Sequence, residues 1–179
     1  MTGASRRAGI GCAIARRLLV DGFRVVIHSW AAADLDYGAE QGSDEVAAVI
    51  GQLGGLGPSL AHIEADFADP AEATRVVEHS VATFAGIDVL IANHAISIAG
   101  TLNDLTAADL DLAWAVNARA SVLLVKAFAE HHDDSRGPGR VVVFTSGQHL
   151  GPMSDELPYA ISKRAIHQMT ASLADALAD

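Results

Sequence analysis

Two hydrophobic patterns alternate along the chain. Short runs that are apolar on both faces recur at residues 23–29 (FRVVIHS), 60–65, 87–92 (IDVLIA) and 140–145 (RVVVFT). Runs this short and this rich in β-branched residues predict buried parallel strands. Between them lie segments with helical spacing and helix punctuation. The first spans 11–20 and stops at Asp21-Gly22; the second is capped by Ser43 and runs to about Leu53. A third is capped by Asp69, has Pro70 at its first position and ends at Gly86. A long helix is expected from Thr106 to about His131, then a turn-rich break at 133–139 (DDSRGPG), then a last helix from about Leu157 to the end. Strand–helix alternation of this kind implies right-handed crossovers and one doubly wound α/β domain over 1–179, a parallel sheet with helices on both faces.

Composition narrows the function classes. Half of the 179 residues are hydrophobic and 19% are charged, so a sizeable core is expected. The net charge of -10 argues against a nucleic-acid partner, which needs a basic footprint. The one cysteine, Cys12, rules out an internal disulfide framework and points to a reducing, cytoplasmic setting. No apolar run approaches the roughly 20 residues of a membrane span, so no membrane partner is expected.

A glycine-rich turn opens the chain: residues 2–11 read TGASRRAGIG. Gly3, Gly9 and Gly11 precede a helix whose free N–H groups could meet a pyrophosphate, with Ser5 and Ile10 beside them. A glycine cluster alone also serves as an ordinary turn. No Gly-Lys-Ser/Thr follows, so it is not a P-loop. The next strand ends in His28, Ser29 and Trp30, without the acidic residue that would hold the ribose 2′-hydroxyl of NAD; Asp34 and Asp36 come too late. Arg6 and Arg7 could instead meet a 2′-phosphate, which favours NADP(H) over NAD(H). Both arginines could equally be solvated.

The strongest local signal is Tyr159-Ala-Ile-Ser-Lys163. Four residues apart, the two side chains share a helix face. A lysine ammonium near a phenol favours the phenolate, so such a tyrosine can exchange a proton with a carbonyl or alcohol oxygen. Ser146 lies thirteen residues earlier, just past the 140–145 strand, where open α/β sheets bind ligands. It could donate to the reacting oxygen. Ser146 is not in a Gly-x-Ser-x-Gly elbow, which argues against a serine hydrolase.

With these pieces in order, the sequence resembles the short-chain dehydrogenase/reductase family, and looks similar to its 3-oxoacyl-acyl-carrier-protein reductase-like members. The matching pieces are TGASRRAGIG, Asp66 in ADFAD, DVLIANHA (88–95), Asn117 in AVNARA, Ser146 in FTSG, and YAISK. The resemblance covers the whole chain. It implies a Rossmann-type fold and NAD(P)-dependent interconversion of a ketone and a secondary alcohol. Tyr159 would be the general acid/base, and Lys163 would hold the nicotinamide ribose and tune Tyr159. Ser146 would orient the substrate carbonyl and Asn117 would hold a water. Asp66, with Phe67 beside it, would contact adenine, Asn93 would support the strand end beside the cofactor, and Ser29 would lie at the ribose. The resemblance further implies a homodimer or homotetramer, for which Leu123, Phe128, Ile161 and Met169 supply apolar stripes that could also be core.

The sequence departs from that pattern in three places. Five residues separate Gly3 from Gly9 where the family has three, and DVLIANHA places His94 and Ala95 where Ala and Gly are usual. A structural histidine is the expected reading of His94. The family's first strand and its C-terminal strands have no counterpart here, which would leave neighbouring strands short of partners. A non-catalytic remnant that binds nucleotide or pairs with other subunits is therefore the alternative to an oxidoreductase. A methyltransferase would have no use for Tyr159 and Lys163. Residues 131–134 (HHDD) do not make a metal site, since adjacent ligands at a helix end rarely converge, and Cys12 reads as a packing residue. Gln148, His149, Leu150 and Met153 are candidate substrate-pocket residues that name no compound.

Overall fold

A computed structural model describes residues 1–32 and 42–178. Asp34 and Asp36 fall outside the described residues. The elements in chain order are α1 (Ile10–Val20), β1 (Val25–Ser29), α2 (Gly42–Gln52), β2 (Leu60–Glu64), α3 (Pro70–Phe84), β3 (Val89–Ala92), α4 (Ala107–Ala113), α5 (Ala120–His131), β4 (Arg140–Val143) and α6 (Leu157–Ala176). All four expected strands are present. Helix α2 begins at Gly42, so Ser43 falls inside its first turn rather than ahead of it.

Local chemistry accounts for the best-defined boundaries. Asp69 accepts a hydrogen bond from the Ala71 N–H at 2.9 Å and Pro70 fills the first helical position of α3. That helix ends on Ala85 in the left-handed region (φ 58°). Thr106 and Asp109 form a reciprocal capping box at the start of α4.

The single long helix expected from Thr106 to about His131 is instead interrupted. Residues Trp114–Arg119 form a π-turn between α4 and α5. Its middle is fully buried and holds Asn117, whose side chain bonds outside the helix and so favours the wider turn. The stretch Ala107–His131 is in fact long and apolar enough to span a membrane, contrary to the expectation that nothing is. In this fold 61% of its most apolar window is buried, and α5 packs on α3 and β3.

The sheet is parallel throughout and falls into two pairs, β1 with β2 and β3 with β4. Residues Met1 and Thr2 stitch the pairs together. The Met1 amine donates to Val26 O (3.0 Å) and His28 N–H donates to Met1 O (3.0 Å) on one side. Thr2 N–H donates to Ile91 O (2.9 Å) on the other. The order across the sheet is thus β2, β1, the Met1–Thr2 rung, β3, β4. Beyond that single rung a small cleft of about 110 Å³ runs between Val25, Val26 and Val89. At the carboxyl ends of the strands this rung supplies backbone partners to both β1 and β3. Burial removes the Met1 amine from water and pushes its pKa down to about 6. Among the described residues β4 pairs with β3 alone, and Val142 is 43% exposed.

Two cores form because β1 alternates its side chains. Val25 and Ile27 pack with Cys12, Ala15 and Val49 from α1 and α2. Val26 faces the other way and joins Ile63, Val76, Leu90, Leu124 and Phe128, from β2, α3, β3 and α5. Helices therefore cover both faces, as the strand–helix alternation requires. Cys12 is a buried packing residue, and Phe128 belongs to the larger core rather than to an exposed stripe. Ile161 is 51% exposed. Leu124 has no exposed surface, whereas Leu102 is 81% exposed. Leu124→Ala is therefore expected to cost about 2–5 kcal/mol and Leu102→Ala close to nothing, which urea titrations of the two variants will compare.

Candidate active site

The glycine turn is shaped by two close approaches. Gly3 has φ +68°, and a Cβ there would come within 2.7 Å of the His94 Cα. A Cβ on Gly11 would sit 2.2 Å from the Gly3 carbonyl oxygen. Only glycine fits either position. Helix α1 starts directly behind Gly9, which as the N-cap residue has no side chain to cap the first N–H groups. Asn93, at the end of β3, clamps the turn: its Nδ2 donates to Gly3 O (2.8 Å) and to Thr2 O (3.3 Å).

Two buried histidines complete the clamp. His94 Nδ1 accepts from the Thr2 hydroxyl (2.8 Å), and its Nε2 donates to Val116 O in the π-turn (2.9 Å). His28 Nδ1 accepts from Gly3 N–H (3.3 Å), and its Nε2 donates to Ala65 O (2.9 Å). Because the carbonyls can only accept, both imidazoles carry their proton on Nε2. Phe67 lies between them, stacked on His28 at 4.2 Å and edge-on to His94 at 4.4 Å. Burial pushes the pKa of His28 down to about 4 and that of His94 to about 3.

These rings floor a cavity of about 490 Å³ at the carboxyl ends of β1 and β3. Gly3, Ser5, Asp66 and Phe67 line it, as do His28, Trp30 and His94. Asp66 also accepts from Ala68 N–H (2.8 Å), which holds its carboxylate in the loop after β2. The other expected cofactor contacts are not in its lining, Ser29, Arg7 and Arg6 among them. The Ser29 hydroxyl bonds the His62 ring across the strand pair (2.7 Å). Arg7 is held by Glu45 of α2, its N–H and Nε donating to the two carboxylate oxygens at 2.8 and 2.9 Å. Arg6 does not line the cavity. His28 and Trp30 were visible only as the end of an apolar run. A histidine inside the short apolar run VVIHS is the signal that could have marked the cavity.

The second half of the site sits between β4 and α6. Tyr159 and Lys163 share one face of α6, the Lys163 ammonium 5.8 Å from the Tyr159 ring centre. Lys163 is 2% exposed and donates to Phe144 O (2.9 Å). Burial pushes its pKa down to about 8. Ser146 lies just past β4, ahead of a short 3-10 turn. Asn117 is tied to the same helix. Its Nδ2 donates to Ser162 Oγ (2.9 Å) and Ile96 O (2.9 Å), and its Oδ1 accepts from Ile96 N–H (2.8 Å). Both donors are spent on the scaffold, so the side chain fixes the π-turn against α6. Of the four candidate pocket residues, Gln148 points inward and is 1% exposed, while Leu150 is 82% exposed. At 131–134, both His132 ring nitrogens face backbone oxygens, Ile87 O and Gly137 O, which leaves them unavailable to a metal.

A short chain dehydrogenase family model matches residues 1–179. The chain belongs to that family. An uncharacterized oxidoreductase of Bacillus subtilis, YjdA, is 33% identical over 180 residues, which is 99% of this chain and 68% of the relative. Human dehydrogenase/reductase SDR family member 4 is 32% identical over 95% of this chain and 57% of its own length. Among solved structures, a short chain dehydrogenase from Burkholderia cenocepacia in complex with NADP aligns with TM-score 0.82 and 34% identity, covering 98% of this chain and 66% of that one. A Serratia marcescens short-chain dehydrogenase/reductase mutant aligns with TM-score 0.82 and 29% identity, again over 66% of its length. The chain thus spans roughly three fifths to two thirds of most of these relatives. The oxidoreductase class and nicotinamide-cofactor binding are properties of the family to which it belongs.

The histidine clamp has a pH consequence. His28 and His94 are neutral in the fold, whereas unfolded imidazoles take up a proton near pH 6.5. The unfolded state therefore gains protons first as pH falls. Stability from these groups is full above about pH 6.5 and drains through pH 5, levelling only below about pH 4 and about pH 3. The expected loss is about 1.4 kcal/mol per pH unit for each group. Urea unfolding at pH 7 and pH 5 measures it, and equal stabilities would show that the rings are not buried neutral.

Proposed function

We propose that this chain binds NADP(H) and interconverts a ketone and a secondary alcohol, with Tyr159 as the general acid/base. The observation that carries the reading is the buried Lys163 on the Tyr159 face of α6, beside the exit of β4 that bears Ser146. The cofactor fits the residues present. Gly3 and Gly11 allow a phosphate to approach backbone, the start of α1 offers uncapped N–H groups, and the 490 Å³ cavity beyond them has the rings of His28, Trp30 and Phe67 with Asp66 at its side. When bound, the nicotinamide supplies or accepts the hydride.

The chain's own groups handle the proton and the oxygen. Ser146 donates a hydrogen bond to the substrate oxygen and orients it. The Tyr159 hydroxyl gives its proton to that oxygen in reduction and takes it back in oxidation. Lys163, as an ammonium, holds ribose hydroxyls and stabilises negative charge on Tyr159. Asn117 keeps the π-turn in register with α6, and its Oδ1, which accepts one bond from Ile96 N–H, has a second lone pair for a water. The preference for NADP(H) rests on the Arg6–Arg7 pair in the glycine turn, where Arg6 is exposed and Arg7 is held at the surface by Glu45. The neighbour from Burkholderia cenocepacia was solved with NADP, which supports this direction. A homodimer or homotetramer in the cytoplasm is part of this reading, with the exposed Trp114 and Ile161 as apolar side chains it would cover. The second reading is a non-catalytic unit that binds nucleotide or associates with other subunits.

Fluorescence titration with NADPH and NADH, followed by a carbonyl screen, separates the two readings. Binding with turnover that Tyr159→Phe lowers by a factor of about 100 or more is the expected result. Binding without turnover favours the alternative. A pH profile adds a second check. Lys163 loses its charge as pH rises through about 8, so kcat/KM is expected to fall above that pH. Lys163→Arg, charged at every accessible pH, should lose that limb whatever its absolute rate.

A further inference from the structure

Gln148 is a carboxamide placed where the solvent does not reach, in the 3-10 turn Gly147–His149 directly after Ser146. Its Oε1 accepts the Ser146 N–H at 3.0 Å, and its Nε2 donates to the carbonyl of Lys163 at 3.3 Å. Its own carbonyl accepts from Arg164 Nη2 at 2.8 Å. The Lys163 ammonium returns to Phe144 O, two residues before Ser146. The strand exit at 144–148 is therefore tied to a single turn of α6 by an ammonium, a carboxamide and a guanidinium. Of these, the carboxamide alone joins the backbone of Ser146 to the backbone of Lys163. A buried amide is tolerated only when its hydrogen bonds are made, so the side chain resists any change in that spacing.

We propose that Gln148 is a positioning residue: it fixes Ser146 at the separation from Tyr159 and Lys163 that carbonyl reduction needs. The inference rests on the oxidoreductase reading. Gln148 touches neither of the reacting groups directly; it acts through the Ser146 backbone. A displacement of the order of 1 Å in such a group lowers rates about 100-fold.

The test compares Gln148→Met, which keeps the volume and loses both bonds, with Gln148→Glu, which keeps an acceptor for the Ser146 N–H. Burial favours the protonated form of that glutamic acid, whose hydroxyl can replace the donor to Lys163 O. Both are assayed in the full chain with NADPH and a panel of aliphatic, aryl and β-keto ester carbonyls, alongside far-UV circular dichroism and NADPH titration. The expected result for Gln148→Met is unchanged dichroism, an NADPH dissociation constant within about twofold of wild type, and kcat lower by about 10- to 100-fold. Hydrogen exchange at the Ser146 amide should be protected in wild type and fast in this variant. Gln148→Glu should recover most of the kcat. An active wild type matched in kcat by Gln148→Met overturns this inference alone. So does a rate loss that follows loss of dichroism and of NADPH binding in both variants, since that is a purely structural role. A wild-type chain that binds NADPH and turns over none of the panel overturns the oxidoreductase reading and this inference with it.

Discussion

The rung formed by Met1 and Thr2 between β1 and β3 is the contact on which the rest of the molecule depends. Without its backbone hydrogen bonds the two strand pairs would share side-chain packing but no ladder. The rung also sets the direction in which the chain enters the glycine turn. Gly3 can lie against the His94 backbone only because Thr2 has been fixed against Ile91. From that point the clamp of Asn93, His94 and His28 is a network of short polar bonds inside an apolar shell, the environment in which such bonds are strongest and their loss most costly.

The π-turn is the second organising feature, and it is reached from the same network. His94 donates to Val116, Asn117 bonds Ile96 and Ser162, and Ser121 bonds the carbonyl of Asn117. The glycine turn at one end of the site and α6 at the other are thus joined through one distorted helical turn. This explains how residues as distant in sequence as Thr2 and Tyr159 hold a common geometry without touching.

Much of the architecture was legible beforehand because its causes are local. VVIHS and RVVV are short apolar runs, Asp69-Pro70 is a helix start, and Tyr159 and Lys163 are spaced for one helix face. The misses have tertiary causes. Nothing in WAVNAR announces a π-turn, since the turn is imposed by bonds to Ile96 and Ser162. Ser29 sits at the right strand end, but strand alternation turns its hydroxyl to His62. The Arg7–Glu45 pair is equally invisible in the sequence, since α2 brings the carboxylate from far along the chain. Gln148 reads as a pocket residue because a polar side chain in a turn is normally solvated, and here the turn is folded under α6.

The π-turn also changes how the helical hydrophobic pattern should be phased. An extra residue in one turn advances the helix surface by roughly 100°. Leu112 ahead of it and Leu124 and Phe128 after it therefore do not belong to one continuous stripe: Leu112 stays exposed, as does Trp114 at the start of the turn, while the later pair enters the core. Two neighbours of different kinds can in this way be served by one uninterrupted run of backbone. The length of that run, counted in residues, is then as strongly constrained as any side chain on it, because losing one residue would rotate a core-facing surface toward water.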